Sequence, residues 1–187
     1  MPPKAKYTKE QIADVAFELV RTEGEDVLTA RNLAARLGTS TAPIFTAFEK
    51  IEDIQREVSV RAWALYSEYI KAGLKQSIPF KGTGLMYIKF AREETNLFKL
   101  LFMKGNSDES LSHYFPSGDT NEPLVRGTVE NTYGLDEKKA RKLYNHLSVY
   151  VHGIAVMFAQ GINVFSDEDV SLMLTEMFQS LIKGGQL

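Results

Sequence analysis

Hydrophobic residues near the start of the chain recur with the period of an α-helix. The apolar face of this first helix, at the i, i+3, i+4, i+7 and i+8 positions, consists of Ile12, Val15, Ala16, Leu19 and Val20. Thr8 precedes the run and Gln11 stands three residues after Thr8, which is a capping-box pattern. We therefore expect the helix to begin after Thr8 and to end near Gly24.

Two shorter helices are predicted next, joined by a tight turn at Gly38. Thr29 is expected to cap the first of them, and Thr39 or Ser40 the second. Pro43 falls in the first turn of the second helix, where a missing N–H is tolerated. The residues expected to face the core are Leu33, Ala34, Leu37, Ile44 and Phe48.

The outer face of the second short helix carries small, uncharged side chains. Its members are Thr41, Ala42, Pro43, Thr46 and Ala47. Side chains of this size let a helix approach the major groove of DNA closely, where methyl groups contact thymine and hydroxyls meet base edges or phosphates. Two capped helices inside an ordinary bundle would show a similar pattern, so the residues alone leave both interpretations open.

From Ile51 onward the pattern stays helical, with a first helix of about 24 residues and a break marked by Gly73, Pro79 and Gly82 to Gly84. Further helices are predicted over residues 83–94, 96–104, about 122–133, 136–160 and 167–184. We expect an all-α fold of about nine helices. Residues 1–50 would form a three-helix helix-turn-helix domain, and residues 51–187 a helical ligand-binding and dimerisation domain.

Residues 105–123 are rich in Gly, Ser, Asp and Pro, and a loop is expected there. Leu111 to Phe115 form an aromatic cluster in this loop, which either closes over a cavity or anchors the loop by packing.

The helices near 136–160 and 167–184, opened by Asp136 and Asp167, are strongly amphipathic. Two from each subunit would form a four-helix bundle in a homodimer, and close approach would be permitted by Gly153, Ala155, Ala159 and Gly161. A hairpin within one chain is the alternative.

The N-terminal part of the chain, called the head below, resembles the DNA-binding domain of the tetracycline-repressor (TetR) family of bacterial regulators. The resemblance covers about residues 8–55. The resemblance rests on Ile12, Ala16, Leu19, Gly24, Leu28, Thr29, Arg31, Leu33, Ala34, Leu37, Gly38, Ser40, Ile44, Phe45 and Phe48. Tyr150-Val151-His152-Gly153 is similar to a Trp-x-His-Gly signature of one subgroup of the family's effector domains. The resemblance implies a repressor whose dimer binds a palindromic, double-stranded DNA operator and is released by a small effector.

It also implies which residues face the operator: Thr29, Arg31, Thr39, Ser40, Thr41, Ala42, Pro43, Phe45, Thr46 and Lys50. Arg31 alone has bidentate potential, and either a guanine or a phosphate would suit it. Phe45 replaces the usual tyrosine of the family and Ile51 the usual lysine, so one phosphate-binding hydroxyl is absent and Lys50 would have to supply the missing charge.

Charge adds little to this interpretation, because residues 1–51 contain seven basic and seven acidic side chains. Lys4, Lys6 and Lys9 form a basic N-terminal segment. We expect binding to depend on operator shape and dimeric docking more than on a large electrostatic contribution.

An effector site is expected in the middle of the chain, where aromatic and thioether side chains suit a largely apolar ligand. The candidates are Tyr66, Tyr69, Met86, Phe90, Phe98, Phe102, Tyr133, Tyr150, His152 and Met157. Core packing would explain each of them equally well. Ligand binding is expected to swing the helix that begins at Ile51, so that the two heads no longer match the half-sites.

An enzyme is not expected. The chain has no cysteine, no glycine-rich phosphate loop and no His-Glu-x-x-His, and His146 and His152 do not share a helical face, so no cofactor or metal is predicted. The first residues show no apolar signal region, and the most apolar stretch, residues 150–165, is too short to span a bilayer, so we expect a cytoplasmic protein without membrane contact. The remaining alternative is a ligand-binding or partner-binding helical protein whose head no longer binds DNA.

Overall fold

The structure, a computed structural model, describes residues 7–103 and 121–183, and these residues form nine α-helices and no strand. The helices are α1 Lys9–Glu23, α2 Ala30–Leu37, α3 Ala42–Ala47, α4 Ile51–Leu74, α5 Pro79–Glu93, α6 Thr95–Phe98, α7 Glu122–Tyr133, α8 Glu137–Ala159 and α9 Asp167–Lys183. A 3-10 turn spans Glu25–Val27, and π-helical residues Lys99–Met103 continue α6. The predicted all-α fold is confirmed for these residues.

Parts of two predictions lie outside the described residues. They are the basic side chains Lys4 and Lys6, and the loop over residues 105–120 with its aromatic cluster at Leu111 to Phe115. None of the helices formed by residues 7–103 and 121–183 combines the length and the apolar composition that a membrane span requires.

The chain divides into two compact units. The first comprises the described residues within 1–64 and 94–104, and the second those within 65–93 and 105–187. The predicted three-helix head lies in the first unit, together with α6 and the first part of α4. The assignment of DNA binding to residues 1–50, and of ligand binding and dimerisation to residues 51–187, remains a prediction.

The first unit begins with the predicted capping box. The Thr8 hydroxyl accepts from the Gln11 backbone N–H at 3.1 Å, and the Gln11 side chain accepts from the Thr8 N–H at 2.9 Å. The core of this unit contains Ile12, Ala16, Leu19, Val20, Leu33, Ile44, Phe48, Ile54 and Val58, all nearly inaccessible to solvent. Capping and apolar spacing therefore agree in placing α1.

The end of α1 is tied to α6 within the same unit. The Arg21 Nε lies 2.7 Å from Glu94 Oε2 and its Nη2 lies 2.5 Å from Glu94 Oε1, which is a bidentate pair. The Asn96 amide donates to the Arg21 carbonyl at 3.0 Å. The hydrogen bonds that Arg21 donates to the Glu94 carboxylate raise the pKa of Arg21 above its ordinary value.

In the second unit, α5 begins at Pro79, four residues before the predicted start at Thr83. Gly82 and Gly84 therefore lie inside a helix and do not mark a break. A Cβ on Gly73 would lie 2.7 Å from the Gly82 backbone, and one on Gly82 would overlap the Gly73 carbonyl oxygen. The two glycines let α4 and α5 meet backbone to backbone, which sequence spacing did not reveal.

The last two helices begin near the predicted residues. Asp136 caps α8 by accepting from the Lys139 N–H at 2.9 Å. For α9 the cap is Ser166, whose hydroxyl accepts from the Asp169 N–H at 3.1 Å, and Asp167 is the first helical residue, as predicted.

Four small residues were expected to permit close approach between subunits. Two of them, Ala155 and Ala159, are buried within the chain itself, whereas Gly153 and Gly161 are exposed.

Candidate functional site

The turn between α2 and α3 is built from local hydrogen bonds. Thr29 caps α2 by accepting from the Asn32 N–H at 3.2 Å. At the other end Gly38 is left-handed, with φ 63° and ψ 40°, and its N–H donates to the Ala35 carbonyl at 3.1 Å. The Thr39 N–H donates to the Ala34 carbonyl at 3.0 Å, which completes a Schellman motif. This end of α2 is as the sequence predicted.

The start of α3 differs from the prediction that Thr39 or Ser40 caps it. The cap position is Thr41, which has helical backbone angles, and its side chain forms no capping hydrogen bond. A cap side chain accepts from the N–H of the second or third helical residue. The second residue here is Pro43, which has no N–H, and the third, Ile44, donates to the Thr41 carbonyl at 3.1 Å. No N–H is left for a side-chain cap.

The outer face of α3 is uncharged and open to solvent. Its exposed members are Thr41, Ala42, Phe45 and Thr46. Ile44 and Phe48 are buried at 0% and 3% exposure and hold the opposite face against the core. Phe45 leaves 46% of its surface accessible, a large apolar area for a six-residue helix. The Thr46 hydroxyl donates to the Ala42 carbonyl at 2.9 Å, so its methyl group and oxygen lone pairs remain for an outside partner.

Eight of the ten predicted DNA-facing residues are exposed: Thr29, Arg31, Ser40, Thr41, Ala42, Phe45, Thr46 and Lys50. The other two, Thr39 and Pro43, are half-buried. Lys50 directly precedes α4, and its backbone N–H donates to Asp53 Oδ2 at 3.2 Å. All ten belong to the first unit.

Ion pairs divide the basic residues of this unit into two groups. Arg36 pairs with Glu23, and Arg61 of α4 pairs with Glu10 and Asp14 of α1. Each of these pairs brings a nitrogen and an oxygen within 4.0 Å of each other. In contrast, no carboxylate of residues 7–103 or 121–183 lies within 4.0 Å of the Arg31 guanidinium or the Lys50 ammonium. A charge count that stops at residue 51 leaves out Arg61, which adds one positive charge and pairs with two of the counted acidic residues.

The second unit contains a cavity of about 260 Å³. Its aromatic wall consists of Tyr66, Phe80, Tyr87, Tyr133, Tyr144 and Phe178, and its polar groups include Lys81, Thr83, Asn121, Ser148, Thr175 and Gln179. These residues come from α4, α5, α8, α9 and both the start and the end of α7. The volume lies just below the range of about 300–1,000 Å³ found for small-molecule sites.

Of the ten predicted ligand-binding side chains, Tyr66 and Tyr133 line this cavity. The other eight do not, and they are Tyr69, Met86, Phe90, Phe98, Phe102, Tyr150, His152 and Met157. Phe98 and Phe102 pack in the first unit, where Phe102 meets the Trp63 ring edge-on at 5.3 Å. His152 lies behind the wall, with Nδ1 2.9 Å from the Tyr87 hydroxyl oxygen.

Other wall residues were missed by the sequence interpretation, notably Phe80, Lys81, Tyr87 and Tyr144. Phe80 and Lys81 were missed because α5 was expected to begin later, at Thr83. A Pro at a helix start is a known signal that would have found them. Tyr87 and Tyr144 stand at ordinary core positions of their helices, and nothing in their spacing distinguishes a cavity wall from a filled core.

Burial affects the pKa of one titratable group in the cavity wall, Tyr133, and of one behind it, His152. It raises the pKa of the Tyr133 phenol and lowers the pKa of the His152 imidazole. Both shifts favour the neutral form. Among the wall residues in the described part of the chain, Lys81 is the one lysine, arginine, aspartate or glutamate, and its Nζ donates to Thr175 Oγ1 at 2.9 Å.

No protein-family model matches the chain. An uncharacterized HTH-type transcriptional regulator of Mycobacterium tuberculosis is similar, with 23% identity over 185 residues. The alignment covers 96% of this chain and 82% of that protein, so the likeness extends beyond the first fifty residues into the second unit.

Proposed function

We propose that the chain is a helix-turn-helix transcriptional regulator of the TetR family, a repressor whose dimer binds a palindromic operator and is released by a small, largely apolar effector. The observation that carries the proposal is the exposed, uncharged outer face of α3, together with an exposed arginine of α2, Arg31, that no described carboxylate neutralises. The similarity along almost the whole chain to a helix-turn-helix regulator supports it.

In this proposal α3 enters the major groove. Ala42, Phe45 and the methyl groups of Thr41 and Thr46 contact thymine methyls, because none of these side chains brings a charge that would need a partner. Arg31 reads a guanine or binds a phosphate, and Lys50 binds the DNA backbone at the start of α4. Phe45 supplies apolar contact in place of the tyrosine hydroxyl that is usual in the family.

The dimer is proposed to form through α8 and α9. Val149 of α8 and Leu172 of α9 are large apolar residues that remain 52% and 57% exposed. Gly153 follows Val149 one turn later and is also exposed. A two-fold pair of heads then matches half-sites in a palindrome, separated by one or more helical turns.

The effector is proposed to act through its different affinities for two conformers. The cavity wall includes Tyr66 of α4, and α4 continues without a break into residues 51–64 of the first unit. A ligand that favours one arrangement of α4 changes the fraction of dimers whose heads fit the operator. Equal ligand affinity for the free and the DNA-bound protein would exclude this coupling.

The test is a random-oligonucleotide selection with the purified full-length protein, followed by binding measurements on the selected duplex. We expect a reproducible palindrome. Failure to enrich any sequence, with the protein folded, would favour the ligand-binding or partner-binding alternative. The dependence of log K on log salt should be clearly shallower than the slope of about −10 found for a repressor with many phosphate contacts.

Arginines of α2 offer a matched pair of variants for the same duplex. Arg31→Ala should weaken binding by about tenfold or more if the side chain reads a base, since a bidentate base contact is worth about 1–3 kcal/mol. Arg36→Ala is the control, because Arg36 is exposed on the same helix but is paired with Glu23. Fluorescence anisotropy measures both affinities, and equal losses for the two variants would contradict the proposed role of Arg31.

A further inference from the structure

Lys81 occupies an unusual position in the second unit. It lies in the first turn of α5 and is half-buried in a cavity wall whose other described residues are uncharged. An ammonium group next to so much apolar surface is costly unless it has hydrogen-bond acceptors or an opposite charge nearby. The contacts of this group therefore indicate what the cavity is suited to hold.

The ammonium group has few such contacts. Its one hydrogen bond within residues 7–103 and 121–183 is to Thr175 Oγ1, at 2.9 Å. The Thr175 hydroxyl in turn donates to the Ser171 carbonyl at 2.9 Å, which orients its oxygen toward the lysine. A lysine ammonium carries three N–H donors, so two of them remain available for a ligand.

Lys89, on the same helix, shows the contrast. Its Nζ lies 3.7 Å from Glu93 Oε1, four residues later, and Lys89 is not part of the cavity wall. For Lys81, no carboxylate of the described part of the chain comes within 4.0 Å, whereas Lys89 has one inside that distance. As far as the described residues form it, the cavity wall thus offers an ammonium group and aromatic surface but no carboxylate.

We propose that this cavity binds a monocarboxylate with an apolar body, whose carboxylate pairs with Lys81 while its body lies against the aromatic wall. This inference rests on the proposed function in taking the cavity as the effector site. A carboxylate is the complementary group, because it accepts charge-assisted hydrogen bonds from the two available N–H donors. Tyr66, Tyr87 and Phe178 supply apolar ring surface for the rest of the molecule.

Three probes with eight carbon atoms each separate the charge from the apolar contribution: octanoate, octan-1-ol and octylammonium. Binding to the full-length protein is measured by isothermal titration calorimetry at neutral pH and below micelle formation. Octanoate should bind about tenfold or more tightly than octan-1-ol, as expected for a charge-assisted hydrogen bond, and octylammonium should bind most weakly.

Lys81→Met keeps the length of the side chain and removes its charge. In this variant the preference for octanoate over octan-1-ol should disappear, while octan-1-ol binding stays within about twofold, which also shows that the cavity remains folded. Lys89→Met is the matched control and should retain the full preference. The proposal is overturned if octanoate binds no more tightly than octan-1-ol, if Lys81→Met keeps the preference, or if octanoate shows no saturable binding at millimolar concentration.

These measurements contain no DNA, so their outcome is independent of the operator selection. A carboxylate preference in a protein that selects no DNA sequence would refute the proposed regulator and leave the ligand assignment intact. A reproducible operator together with no preference for octanoate would refute the ligand assignment alone.

Discussion

The pair between Arg21 and Glu94 is expected to stabilise the first unit more than the other ion pairs made by arginines of the predicted head. Glu94 is only 6% exposed, and both of its oxygens lie within 2.7 Å of guanidinium nitrogens of Arg21. Removing Arg21 leaves a buried carboxylate without its cation, which is more destabilising than the loss of an exposed pair. We therefore predict a clear loss of stability for Arg21→Ala.

The exposure of the two partners sets the magnitude. Breaking a fully buried pair costs about 3–5 kcal/mol, but the Arg21 side chain is 39% exposed, so water can partly solvate the remaining charge. About 2 kcal/mol is the resulting expectation for Arg21→Ala. The same arginine also lies 3.4 Å from Glu18, whose side chain is 58% exposed. Glu18→Ala should cost less than about 0.5 kcal/mol.

Urea unfolding at one fixed protein concentration measures these differences. Trp63 is the single tryptophan of the chain and packs against Phe102 in the first unit, so its fluorescence reports on the unit that contains the pair. A double-mutant cycle of Arg21→Ala with Glu94→Gln should give a coupling of about 1–2 kcal/mol.

Arg36→Ala is the control for this experiment as well. Its pair with Glu23 is exposed on both sides, at 54% and 41%, and its loss should change stability by less than about 0.5 kcal/mol. If Arg21→Ala falls within that same range, or if the cycle shows no coupling, the reasoning from burial is wrong.

Three further predictions concern glycine packing, a helix cap and a buried histidine. Gly82→Ala should destabilise the protein by about 1–3 kcal/mol, because the new Cβ would overlap the α4 backbone. Gly127→Ala, inside α7, should stabilise it by about 0.5–1 kcal/mol, because a Cβ there meets nothing within 4 Å. Thermal unfolding of both variants checks the sign of each change in stability. Thr8→Ala removes the α1 capping box and should cost about 1 kcal/mol in the urea assay, and an unchanged midpoint would contradict the observed cap. Burial lowers the pKa of His152 from its ordinary 6.5, so its contribution to stability is present above pH 6.5 and lost as the pH falls through the lowered pKa; an NMR titration that finds a value above 6.5 would refute the burial argument.

The sequence alone determined those parts of the head that depend on neighbours along the chain. The Thr8 capping box, the Thr29 cap and the left-handed Gly38 each involve residues within five positions of one another, so their hydrogen bonds can be predicted from spacing. The same holds for the 24 residues of α4, whose apolar positions keep one period throughout. Local physics is sufficient where both partners lie in one short segment.

The tertiary structure decided the contacts between residues that lie far apart in the sequence. From the sequence, Gly82 is expected to break a helix. In the folded chain it lies inside α5, where the absence of a Cβ lets the α4 backbone at Gly73 pack against it. Arg61 pairs with Asp14 and Glu10 of α1, which precede it by 47 and 51 residues. Lys81 donates to Thr175, 94 residues further along the chain. Periodicity shows which face of a helix is buried but not which other helix covers it, so the charge pattern of the head and the wall of the cavity required the folded chain.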